Sequence, residues 1–144
     1  MKSIEDKNIL LGVTGSIAAY KSADLASKLT QAGAKVDVIM TKSASEFITP
    51  LTFKSITHRN VLSNLFSTEG SEGIMHVELA KRADIYVVAP ATANTIFKVA
   101  HGQADDLVSI AALATNAPIL LAPANQWHPE HKESPKCYGN VDIR

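Results

Sequence analysis

His76 is the first residue of this chain with a claim on chemistry. It follows the flexible-looking run Ser67 to Gly73 (STEGSEG) and opens an amphipathic turn with Leu79 and Ala80 on the apolar side. A histidine in that place serves either as a core-edge side chain or as a general acid or base, and spacing alone does not choose. Four further stretches suit binding rather than proton transfer. Thr14-Gly15-Ser16, Thr41-Lys42-Ser43-Ala44, Pro90-Ala91-Thr92-Ala93-Asn94-Thr95 and Pro123-Ala124-Asn125-Gln126-Trp127 are small or polar, and each follows an apolar, strand-like run. Backbone N–H groups at such a turn can point at an anion, and open α/β sheets bind ligands at these carboxyl ends. The plain alternative is a turn with a capping residue. Asn94 and Ser43 suit a helix N-terminus, and so do Asp105 and Asp106 further on.

The elements that must position these residues alternate. Asn8 to Val13 (NILLGV) reads as a buried strand, followed by a helical pattern from Ile17 to Ala32 with Gly33 as its C-cap. Lys35 to Met40 (KVDVIM) is a second strand, with Val36, Val38 and Met40 alternating against polar partners. Ile85 to Ala89 (IYVVA) is short, apolar and β-branched, as suits a strand buried on both faces of a parallel sheet. A helix-like stretch from Thr95 to Ala100 follows, then a break at Gly102 and a second helix from about Asp105; Pro118 to Ala122 (PILLA) reads as another buried strand. Between these lies a mixed segment, Pro50 to Phe66, with breaks at Thr49-Pro50 and His58-Arg59-Asn60 and with His58 as a solvated loop histidine. Such alternation predicts an α/β domain with right-handed crossovers. The dinucleotide fingerprint is incomplete: Gly12 and Gly15 are present, but Ala18 or Ala19 fills the third glycine position. A mononucleotide or a single phosphate fits better.

The bulk numbers agree. At 144 residues the chain suits one domain with a real core. Lys+Arg and Asp+Glu both number 14, so the net charge is zero, which argues against nucleic acid and tolerates self-association. No run is long enough for a membrane span, and the first seven residues are too charged for a signal peptide. The single cysteine, Cys137, excludes a disulfide framework, and a soluble cytoplasmic protein is expected. His128 and His131 flank Glu130, but Pro129 opposes the helix that would align them and no third ligand is evident, so no metal is expected. Residues 1–127 form the expected domain. Residues 128–144 form an atypical surface tail, with a short strand at Tyr138 to Ile143.

Taken in order, four segments resemble a known family. Gly12 to Lys21 (GVTGSIAAYK), Met40 to Phe47, His76 to Ala80 (HVELA), and Ala89 to Leu107 with its APATANT opening and ADDL close are similar to the flavin-dependent cysteine decarboxylases, above all their phosphopantothenoylcysteine decarboxylase branch. The resemblance implies a Rossmann-like, flavodoxin-type three-layer sandwich on a parallel sheet. It implies FMN near a subunit interface, in a homotrimer or a dodecamer of trimers. By that pattern Gly15, Ser16 and Ile17 meet the flavin nucleotide, and Thr41 and Ser43 serve its phosphate and ribitol end. Thr92, Ala93, Asn94 and Thr95 line the flavin. His76 matches the active-site histidine, and Asn125 is the best match for the asparagine that holds the substrate carboxylate.

The implied reaction has a physical logic. Direct loss of CO2 from a cysteine carboxylate leaves an unstabilised carbanion. Flavin oxidation on the thiol side first creates a thioaldehyde-like electron sink, through which CO2 departs, and the protein orients groups and moves protons. The implied substrate is a small cysteine-containing molecule, 4'-phosphopantothenoylcysteine, in coenzyme A biosynthesis. Other readings are an FMN-binding or regulatory interaction subunit lacking full activity, a peptidyl-cysteine decarboxylase, or a flavin prenyltransferase; TGSIAAYK stands closer to the decarboxylase branch. Two departures stand out. The family's Pro-x-Met-Asn motif is shortened here to Pro123-Ala124-Asn125. Its later glycine-rich flap has no counterpart, and Cys137 does not match the flap's cysteine.

Overall fold

The computed structural model describes residues 3–65 and 72–124. Asn125, Cys137, the His128/His131 pair and the expected Tyr138 to Ile143 strand lie outside these residues. So does most of the Ser67 to Gly73 run, although Glu72 and Gly73 already belong to a helix.

Five parallel strands form one sheet in the order β3-β2-β1-β4-β5. They are β1 (Asn8–Val13), β2 (Lys35–Met40), β3 (Val61–Leu62), β4 (Ile85–Ala91) and β5 (Ile119–Pro123). The helices are α1 (Ala19–Gln31), α2 (Pro50–Thr57), α3 (Glu72–Arg82), α4 (Ala93–His101) and α5 (Leu107–Ala114). On one face, Ala19 and Ala26 of α1 and Phe53 of α2 pack on Ile9, Leu11, Val36 and Val38. On the other, Leu79 and Ala80 of α3, Ile96 of α4 and Val108 and Ala111 of α5 pack on Leu10, Ile39, Tyr86 and Val88. The expected Rossmann-like three-layer architecture is therefore present. The strand order reverses direction at β1, between β2 and β4, and ligands bind outside such a switch point.

The β2 pattern has a finer reason than simple alternation. Val36, Val38 and Met40 face α1 and α2, Ile39 enters the opposite core, and Asp37 shares that second face. Asp37 is buried, and its carboxylate accepts from Arg59 Nε at 2.7 Å and from Arg82 Nη2 at 2.7 Å. One carboxylate thus ties β2 to the α2–β3 connection and to the end of α3, the helix that carries His76.

Two glycines answer to geometry. Gly33 follows α1 with φ +88°, a left-handed conformation that ends the helix as expected. A methyl group on Gly12 would lie 2.8 Å from the Tyr86 hydroxyl oxygen. That hydroxyl donates to the Val108 carbonyl at 2.8 Å, and burial holds the phenol well above its usual pKa.

Three expectations change. The run Pro118 to Ala122 predicts a buried strand, but β5 is a half-exposed edge, with Leu120 56% exposed. Among the described residues it pairs only with β4, and no helix covers its outer side. β3, with two residues, is too short to carry a period and has no signature in the sequence. The third concerns the cap of α4: its N-cap is Thr92 rather than Asn94, and the helix begins at Ala93. The breaks at Pro50, His58 and Gly102 stand where expected; Pro50 opens α2, and the exposed His58 and Gly102 close α2 and α4 in left-handed conformations.

Candidate functional site

The carboxyl ends of β1, β2 and β4 are stitched together by hydroxyl and backbone hydrogen bonds. Thr14, just past β1, donates its Oγ1 hydrogen to the Pro90 carbonyl and accepts from Thr92 N at 3.2 Å. Ser22 of α1 donates to the Ala89 carbonyl. Thr41 N donates to the Val13 carbonyl at 3.0 Å, and Thr41 Oγ1 accepts from Ala44 N at 3.2 Å. These bonds fix where each polar strand end lies before any ligand arrives.

Gly15 and Ser43 meet at the centre of this arrangement. A methyl group on Gly15 would lie 2.6 Å from Ser43 Cβ and 3.0 Å from the Ser43 carbonyl carbon. Only glycine permits this approach, and a side chain there would fill the space between the two turns. The backbone N–H groups of Gly15 and Ile17 have no hydrogen-bond partner among the described residues, whereas Ser16 N donates to the Thr14 carbonyl. Partnerless N–H donors beside the Ser16 and Ser43 hydroxyls, in a cradle a Cβ would obstruct, suit a phosphate.

A cleft of about 430 Å³ opens next to this cradle. Thr41, Lys42, Ser43 and Glu46 form its β2 side. Thr92, Asn94, Thr95 and Lys98 form its α4 side, with Asp106 at the end. Thr92 Oγ1 accepts from Thr95 N at 3.3 Å, so the cap is a threonine and the exposed Asn94 amide is left for the cleft. The Thr41 and Ser43 hydroxyl oxygens lie 3.2 Å apart.

Lys98 was not singled out by the sequence reading. Its ammonium sits 2.9 Å from Asp105 Oδ1 and 3.0 Å from Asp106 Oδ2. Hydrogen bonding to Asp105 leads the causes that hold the Lys98 ammonium above its usual pKa, with Asp106 adding to it. The same bond holds the Asp105 carboxyl below the carboxylate range. Asp106 also caps α5 in a reciprocal box with Ser109, accepting from Ser109 N at 2.8 Å. The expected capping role is therefore carried by Asp106, while Asp105 sits outside the helix with Lys98. The available sequence signal was a lysine followed, across the Gly102 break, by adjacent aspartates.

The remaining predicted residues fall in three groups. Ser16 flanks the cradle, accepting from Ala18 N at 3.2 Å, while Ile17 beside it is 77% exposed. Ala93 is exposed as the first residue of α4 and is not part of the cleft wall. His76 lies in α3 at 5% exposure, apart from the cleft wall, and Asn125 is outside the described residues. Among the described residues no cluster of three His, Cys, Asp or Glu is arranged to hold a metal, and no helix is long and apolar enough to cross a membrane.

The sequence profile of the Flavoprotein family matches residues 1–134. The chain belongs to the Flavoprotein family. Among Flavoprotein relatives, it is 48% identical over 139 residues to the probable phosphopantothenoylcysteine decarboxylase of Streptococcus mutans, covering 95% of this chain and 76% of that one. It is 47% identical over 124 residues to the coenzyme A biosynthesis bifunctional protein CoaBC of Vibrio vulnificus, covering 86% of this chain. The chain spans only 31% of that bifunctional relative. Among solved structures, the FMN-dependent cysteine decarboxylase TvaF superposes with a TM-score of 0.81 at 30% identity, over 94% of this chain and 82% of that one. A PPC decarboxylase mutant complexed with pantothenoylaminoethenethiol superposes at 0.69 and 30% identity, over 85% and 69%. The cofactor that the family implies is a flavin, and the phosphate-shaped cradle fits its nucleotide end.

Proposed function

We propose that this chain binds FMN and decarboxylates 4'-phosphopantothenoylcysteine to 4'-phosphopantetheine in coenzyme A biosynthesis. The observation that carries the reading is the contact between Gly15 and Ser43, with partnerless N–H groups at Gly15 and Ile17, at the mouth of a polar cleft. The names of the relatives at 43–48% identity point the same way.

A bound FMN would supply a two-electron oxidation on the thiol side of the substrate, creating the electron sink for loss of CO2, and would give the same two electrons back to the decarboxylated enethiol, so that formation of 4'-phosphopantetheine is redox-neutral overall. The rest is work for this chain. Gly15, Ser16, Ile17 and Ser43 hold the phosphate, and Thr41 the ribitol. Thr92, Ala93, Asn94 and Thr95 surround the ring system. His76 transfers the proton, and Asn125 orients the substrate carboxylate. Assembly as a homotrimer, alone or as a dodecamer of trimers, places apolar side chains such as Ile17 and Tyr20, 77% and 62% exposed beside the cradle, against a second copy. The location is the cytoplasm. Sedimentation that finds only monomer with flavin bound would sink the assembly reading.

A second reading has one observation in its favour. TvaF, which acts in thioviridamide biosynthesis, superposes at a higher TM-score than the PPC decarboxylase mutant does. On this second reading the substrate is a peptidyl cysteine. Offering FMN-loaded protein each substrate and following CO2 release separates the two. Release from phosphopantothenoylcysteine alone is expected, and release only from a peptide ending in cysteine overturns the assignment. His76→Asn is expected to keep flavin and lose turnover.

A further inference from the structure

We propose that Lys42 is the residue by which this chain prefers a phosphorylated flavin over the unphosphorylated ring system; the inference rests on the FMN reading above. Two clefts, of about 430 and 410 Å³, meet over the carboxyl end of β2, and Thr41, Lys42 and Asp106 are walls of both. The charge of those walls is unevenly committed. Lys98 is held by two carboxylates, Asp105 and Asp106. Lys42 has no ion-pair partner among the described residues, and neither does Glu46 across the turn. Lys21, another lysine that lines a cleft, belongs to a separate one between α1 and the ends of β4 and β5.

A phosphate monoester carries about 1.5 to 2 negative charges at neutral pH. The cleft wall sets Lys42 and Lys98 against Glu46 and Asp106, so an entering phosphate needs a cation that is not already paired. Lys42 is the cation at hand, because the Lys98 ammonium already faces the two carboxylates of Asp105 and Asp106. Its place in the chain is also right: it stands between Thr41 and Ser43, and Ser43 presses against Gly15, where the N–H donors lack partners. Glu46 lines the same cleft and opposes an anion, which makes the contribution of Lys42 more necessary. The Lys42 side chain is exposed, so its effect is that of a solvated point charge: modest, and weakened by salt.

The test compares FMN with riboflavin. The full chain, stripped of flavin, is titrated with each by fluorescence quenching at low and at physiological salt. The native chain is expected to favour FMN. Lys42→Gln is expected to weaken FMN binding by about threefold to tenfold at low salt and leave riboflavin unchanged. It also flattens the salt dependence for FMN, and Lys42→Arg restores the preference. An unchanged FMN-to-riboflavin ratio in Lys42→Gln, or an equal loss for both flavins, overturns the assignment of Lys42 while leaving the flavin reading intact. A native chain that binds neither flavin removes both.

Discussion

Two ionic clusters in this molecule are inversions of one another. In the sheet, one carboxylate, Asp37, lies between two guanidinium groups, Arg59 and Arg82. At the cleft, one ammonium, Lys98, lies between two carboxylates, Asp105 and Asp106. The central groups differ in role more than in chemistry. The Asp37 side chain is 8% exposed and joins β2 to the α2–β3 connection and to α3, and neither it nor Arg59 or Arg82 is part of the cleft wall. Lys98 is itself a cleft wall and joins the two helices that follow β4. The first cluster is therefore scaffold, and it steadies α3 and with it His76. The second fixes the cleft's shape and pairs its Lys98, and among the described residues Lys42 is the cleft-wall lysine without an ion-pair partner.

Substitutions sharpen that contrast. The largest effect on stability is expected from Asp37→Asn, which strands two arginines over a buried site. A loss of about 2 kcal/mol is expected by urea unfolding, below the figure for a fully buried pair because both arginines reach solvent. FMN affinity of the folded protein should be retained. A fall in affinity that outweighs the fall in stability would move Asp37 from scaffold to site. Asp106→Ala should cost about 1 kcal/mol, since it removes the α5 cap together with one partner of Lys98. Lys98→Met should cost less in stability than Asp106→Ala, and it should change flavin affinity more than Asp37→Asn does. The reverse order in a binding titration breaks the division between the clusters.

The smallest effect is one of pH. Asp105 has its carboxyl held below the usual range by Lys98. Its contribution is full above the ordinary carboxylate pKa and is lost as pH falls through the lowered value. Lys98, held above its usual value, contributes fully at neutral pH and loses that contribution as pH rises through the raised value. Lys98→Met should flatten both limbs of a stability-against-pH curve, and an unchanged acid limb would show that the pair is not coupled in solution.

The scaffold was more legible than the cleft. NILLGV and KVDVIM match the observed bounds of β1 and β2, the first as a continuous apolar run and the second through Val36, Val38 and Met40 alternating with polar partners, each closed by small or polar residues. PILLA carries the same run, yet β5 is half-exposed; composition records what a strand can bury, not what covers it. The cleft's threonines and Asn94 were legible as small polar strand ends. Lys98 was not, since its partners stand seven and eight residues on, beyond a helix break that no periodicity bridges. The Asp37 cluster escaped for the same reason, as it joins residues 22 and 45 positions apart. His76 entered as a residue at the start of a turn and proved to lie inside an 11-residue helix. Its histidine chemistry was visible in the sequence, and its helical setting was not.

The central claim is that a flavin seated at the Gly15–Ser43 cradle oxidises a cysteine-containing substrate. The direct measurement is an anaerobic visible spectrum of FMN-loaded protein before and after phosphopantothenoylcysteine is added. The account predicts that the oxidised flavin band bleaches on addition, and that it does not bleach in His76→Asn. A band that stays unchanged in the native protein, with flavin still bound, would contradict it and leave a flavin-binding protein without this reaction.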